Sequence, residues 1–164
     1  MSEAKKQFWK HLEGLNPENA EAQLRKRLQK LSPEKVAHFQ DHFDREMDRA
    51  YNWELWGAAY LIEGGCSDDG FIDFRYGLIS RGREAFEAAL ENPDSIADWI
   101  KEDDCIPNEA FGYVAAEVYE EKTDDEIPYV DFKRRSEPSG ENWDFDEVTL
   151  CAQRLPKLWA KYGE

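Results

Sequence analysis

The residues best placed for chemistry in this chain fall in one short stretch, Gly64-Gly65-Cys66-Ser67-Asp68-Asp69-Gly70, which gathers glycines, a thiol, a hydroxyl and two carboxylates. Asp69 and Asp73 are four apart and would share a helix face, with Arg75 and Arg81 downstream, Glu54 upstream and Glu117 further along. Such a cluster can hold a divalent cation, or a water for hydrolysis, because hard cations prefer oxygen ligands. Its spacing departs from the calcium-loop pattern, which needs acids at alternate positions. The competing reading is structural: Asp68 or Asp69 caps the following helix, and the remaining acids pair with Arg75, Arg81 or Arg83, as buried charges usually do. Glu54, in the first turn of its helix, would favour the helix dipole. The structural reading carries more weight.

Other reactive side chains are weaker candidates. Cys66 precedes a helix N-terminus, which lowers a thiol's pKa, but no histidine lies near it and Asp68 and Asp69 would raise that pKa. His38, His42 and Glu46 form a stripe four residues apart, a possible metal face, yet the zinc-protease signature puts Glu where this chain has Phe39. A solvated helix face fits them better. Tyr113, Glu117 and Glu120 form a further polar stripe. With no nucleophile and base in pairing distance along the chain and no strong metal motif, neither a catalytic residue nor a cofactor is expected.

Charge points elsewhere. The formal net charge is −15, which argues against nucleic acid as a partner, since phosphate binding requires a basic surface. The acidity is regional: residues 1–50 hold ten Lys/Arg against nine Asp/Glu, whereas residues 91–131 hold two bases against fourteen acids, a net of −12. Concentrated charge of one sign steers a partner of the other. Asp103, Asp104, Glu109, Glu120, Glu121, Asp124 and Asp125 are the candidates for such a face.

The elements that would position these groups are helical. Apolar residues make up 41% of 164 residues, enough for one domain with a real core. Phe8, Leu12 and Leu15 form a first stripe. Asn16-Pro17 reads as an N-cap and first helical position before Ala20, Leu24, Leu28 and Leu31, and Ser32-Pro33 repeats the device before Val36, Phe39, Phe43, Met47 and Ala50. Residues 53–63 leave almost no polar face, which predicts a buried central helix with Trp53, Trp56, Tyr60 and Leu61 in the core, ended by Gly64-Gly65. A helix to Ser80, one around Phe86 ending at Asn92-Pro93, a turn or two at 95–100, one carrying Phe111 to Val118, and a last one disturbed at Pro156 complete the reading. Residues 127–142, with Pro128, Pro138 and Gly140, read as an irregular crossing segment. The expectation is all-α: a single compact domain over 1–164 with about seven to nine helices.

Three widely spaced cysteines suggest reduced thiols. The longest apolar run, Leu55 to Ile62, is too short to span a bilayer. The opening Met-Ser-Glu-Ala-Lys-Lys lacks a signal or lipidation motif. A cytoplasmic location away from membranes is the expectation.

The run Tyr51-Asn52-Trp53-Glu54-Leu55-Trp56-Gly57-Ala58-Ala59-Tyr60-Leu61-Ile62-Glu63-Gly64-Gly65-Cys66-Ser67-Asp68-Asp69-Gly70-Phe71, continuing through Phe74-Arg75 to Arg83, resembles a bacterial family, domain of unknown function 4240. Tyr113-Val114-Ala115-Ala116-Glu117-Val118-Tyr119-Glu120-Glu121-Lys122-Thr123 is similar to its downstream motif. The resemblance covers roughly residues 5–125, not the segment at 132–164. It implies a shared fold and no particular activity. Two functions remain: an acidic, non-catalytic inhibitor-like or immunity-like module that binds a basic protein, and an enzyme or ligand-binding domain using the carboxylate and arginine cluster around Gly64 to Gly70.

Overall fold

The computed structural model describes residues 1–163, and among them all regular structure is helical. Nine α-helices run in the order α1 Glu3–Lys10, α2 Ala20–Gln29, α3 Pro33–Arg49, α4 Trp53–Glu63, α5 Asp68–Ser80, α6 Arg83–Glu91, α7 Val114–Thr123, α8 Val148–Arg154 and α9 Pro156–Tyr162. Two 3-10 helices, Pro93–Asp98 and Ala110–Tyr113, lie between α6 and α7. No described helix is long and apolar enough to cross a membrane.

Local chemistry sets most boundaries. Ser32 caps α3 by accepting from the Lys35 N–H, with Pro33 as the first helical residue, and Asn52 caps α4 by accepting from Leu55. Gly64 ends α4 at φ 67°, the left-handed conformation that glycine adopts without penalty. Two starts differ from expectation. Asn16 bends back on its own chain, its side-chain oxygen accepting from Glu18 N–H at 3.0 Å, so residues 17–19 form a turn and α2 begins only at Ala20. At α5 the cap is Ser67, whose Oγ accepts from Gly70 N–H at 3.2 Å, leaving Asp68 and Asp69 exposed in the first turn.

The core is one continuous cluster in which two aromatic groups stand out. One is a run of rings in which Phe8 meets Trp9 and Phe39, and Phe39, Phe43 and Phe111 succeed one another from α3 to the 3-10 helix before α7. The other surrounds α4, which packs on α5, α9 and the 3-10 helix Pro93–Asp98. Here the expected core needs correcting. Trp53, Trp56, Tyr60 and Leu61 are only half-buried, while Leu55, Gly57, Ala58 and Ala59 are the buried residues of α4. The aromatic stripe meets α5 and an irregular segment instead: Trp56 stacks on Trp53 and on Phe71, and Tyr60 lies against Phe145. A helix without a polar face was covered by loop, and loop shields less completely than helix.

Residues 124–147 do cross the surface irregularly, pinned by a parallel bridge between Asn52 and Ser139. Asp94 does similar work at the other end. It is 4% exposed and accepts from the N–H groups of Lys157 and Leu158 at 3.0 and 2.9 Å, capping α9 from 63 residues away.

Candidate functional site

The Gly64 to Gly70 turn is held from inside the fold. Trp56 donates its indole N–H to the Cys66 carbonyl at 2.9 Å, and Gly65 N–H bonds the Tyr60 carbonyl at 2.8 Å. The Cys66 thiol is half-buried, and burial, reinforced by Glu63, pushes its pKa up to about 11 against the pull of Arg75. It is therefore a neutral thiol at pH 7, a poor nucleophile.

The seven residues of the carboxylate and arginine set do not assemble at this turn. Glu54 pairs with Arg154 at 3.3 Å, and Glu117 with Arg25 at 2.7 Å. Arg81 grips Asp104 with two bonds of 2.6 and 2.9 Å over the face of Trp99. Asp73 is left among its own kind: burial first, then the charges of Glu109 and Asp69, raise its pKa above the ordinary value. Of the three arginines expected to neutralise the local acids, only Arg81 holds one, and it comes from outside the turn.

Arg75 faces elsewhere. It lines a cavity of about 280 Å³ with Asp44, Met47 and Asp48 of α3, Tyr51, its own neighbours Ile72 and Tyr76, and Arg134 and Arg135 of the crossing segment. The guanidinium lies 4.8 Å from the Tyr51 ring and 4.7 Å from Phe71. Burial lowers its pKa to about 10, so it stays charged at neutral pH. Sequence spacing gave no sign of this cleft, because its walls are more than twenty residues apart in the chain.

The acids expected to form a partner face divide. Asp104 and Glu121 are engaged by Arg81 and Arg25. Asp103, Glu109, Glu120, Asp124 and Asp125 are exposed and make no ion pair among the described residues. Glu109 precedes α7, Glu120 lies in its last turn and Asp124 and Asp125 follow it, roughly 15 Å away at 1.5 Å per helical residue. Between them Tyr113 is 49% exposed, and Tyr129 beyond is 72% exposed.

All three histidines line a groove of about 610 Å³ between α1 and α3, with Phe8, Leu31 and Phe39 as its apolar wall. His42 Nε2 lies 3.3 Å from Glu46, but that carboxylate is already held by Arg49 at 2.6 Å. No group of three or more His, Cys, Asp or Glu among the described residues could hold a metal ion.

Against known proteins, a family model described as protein of unknown function (DUF4240) matches residues 3–121. No curated protein and no solved structure matches.

Proposed function

We propose, for a chain that belongs to the DUF4240 family, a non-catalytic role in which the acidic face along α7 binds a basic protein segment. The observation that supports it most is the grouping of Asp69, Asp73 and Glu109, with no cation paired to any of the three among the described residues; burial first, and then the two neighbouring charges, raise the Asp73 pKa. Uncompensated like charges destabilise the free protein, and a cationic partner would relieve them. Tyr113 sits exposed on the same stretch, and its ring can receive a lysine or arginine face-on. An extended strand of about five residues would span the two acidic ends of α7. The committed ion pairs of Glu54, Arg81 and Glu117 favour this reading over an enzyme built on those groups.

The test uses the purified protein as bait at low salt, with recovery of a basic protein and association that slows steeply as salt rises. Reversing Asp103, Asp124 and Asp125 to lysine, with Asp73→Lys and Glu109→Lys, should abolish capture while the circular dichroism spectrum is unchanged. Capture that survives those reversals overturns the proposal.

A further inference from the structure

A buried guanidinium is ordinarily matched by a carboxylate. Arg75 is 7% exposed, yet it makes no ion pair among the described residues. Its Nε donates to the Phe71 carbonyl at 3.3 Å and its Nη1 to the Met47 carbonyl at 2.7 Å, so both bonds orient the group without neutralising it. Nη2 donates to no described residue. The buried side-chain atoms that lack a partner among the described residues are three tryptophan indoles and Ser95 Oγ, so Nη2 is not sealed in, and Arg75 lines the 280 Å³ cleft.

The charges of that cleft can be counted. Arg134 pairs with Asp44 at 3.5 Å, and Arg135 with Asp48 at 3.2 Å as well as through its backbone N–H at 2.8 Å. Three arginines stand against two aspartates, and the surplus is the charge of Arg75, held against two neighbouring aromatic rings. A monoanion balances this count. A phosphate dianion would exceed it beside two carboxylates. The walls contribute Met47, Tyr51, Ile72 and Tyr76, which suit an apolar or aromatic body, and the volume is at the small end for ligand sites.

We infer that the Arg75 cleft is a binding site for a small monocarboxylate, its carboxylate received by Arg75 and its apolar body by Tyr51, Ile72 and Tyr76. A carboxylate would accept a charge-assisted hydrogen bond from Nη2, and the bonds to the Phe71 and Met47 carbonyls hold the guanidinium in place before the ligand arrives. This site is independent of the acidic face, since it draws on different side chains and a ligand of opposite charge.

The experiment is titration of the full chain with benzoate, acetate, the neutral benzamide and inorganic phosphate, read by calorimetry and by the Arg75 guanidinium Nε–H resonance. Benzoate, tested to ~10 mM so that a millimolar Kd is visible, should bind saturably and shift that resonance, and benzamide should not. Arg75→Lys should weaken benzoate at least tenfold. Asp44→Asn supplies the second arm if Arg75→Lys fails to fold: it raises the cleft's count by one, so benzoate should tighten severalfold and phosphate should begin to bind. Benzamide binding as well as benzoate, absence of binding by either carboxylate, wild-type protein preferring phosphate, or benzoate affinity unmoved by Asp44→Asn would each overturn the inference.

Discussion

Trp56 donates its indole N–H to the carbonyl of Cys66 at 2.9 Å, so the helix that leads into the glycine turn also fastens it. The same ring stacks on Phe71 at 4.9 Å, joining α4 to α5 on the far side of the turn. Replacing it by alanine should cost about 3 kcal/mol, the lower end for a buried aromatic because the side chain is only partly buried. Trp56→Phe keeps the stacking and loses the bond, so about 1 kcal/mol is expected. Urea midpoints at fixed slope measure both; an unchanged midpoint for Trp56→Phe would show that the hydrogen bond contributes nothing, and a loss equal to that of Trp56→Ala that the stacking does not.

Gly77 lies on the buried face of α5, where a methyl group would overlap the backbone carbonyl oxygen of Ile106. Backbone cannot rotate out of the way as a side chain can. The strand of chain concerned is further fixed by Asn108 N–H bonding the Asp73 carbonyl at 2.9 Å. Gly77→Ala should therefore cost about 3 kcal/mol, at the upper end for overpacking, whereas alanine's better helix propensity alone would stabilise the helix. A rise in the denaturation midpoint would contradict the close approach.

The Arg81 and Asp104 pair is nearly enclosed, and Arg81's two hydrogen bonds hold Asp104 below the usual carboxylate range. Its folded pKa is depressed, so the stabilisation is present above the ordinary aspartate value and is lost as pH falls through the folded one. Asp104→Asn should cost about 2 kcal/mol at pH 7, since it leaves a guanidinium largely buried with one poor partner. The gap between variant and wild type should narrow below about pH 3. A gap constant with pH would separate the effect from ionisation.

Asp73 has the opposite sign. Burial and two neighbouring acids raise its folded pKa, so its contribution is fully present below the ordinary aspartate value and is lost as pH rises through the raised one. Asp73→Asn, uncharged throughout, should melt higher than wild type at pH 7 and converge with it below about pH 4. A lower melting point at pH 7 would mean that the carboxylate has a cationic partner after all.

What the sequence revealed was local. Ser32-Pro33, Asn52, Gly64 and Asn92-Pro93 punctuate the chain through their own backbone preferences, and the limits of α3, α4 and α6 followed from them. Asn16-Pro17 carried the same signal and failed, because Asn16 found Glu18 within its own turn. The aromatic stripe of α4 was visible, but whether helix or loop covers it is decided by Trp143 and Phe145, more than eighty residues on. The sequence places Arg75 in the company of acids two to seven residues before it. Its backbone partner on α3 and the crossing arginines could be found only once the chain was folded.

Asp94 waits for α9, and α4 packs on that same last helix. Both contacts require residues that a ribosome makes more than thirty positions after the matched stretch. Until then the nascent chain holds the matched residues 3–121 with α4 partly uncovered and a buried carboxylate without its two donors. Closure is thus a late event dominated by distant contacts, which slows folding and lengthens the exposure of apolar surface. A fragment stopped at residue 121 should be caught by chaperones or aggregate during synthesis, although it contains the whole of the stretch by which the family is known.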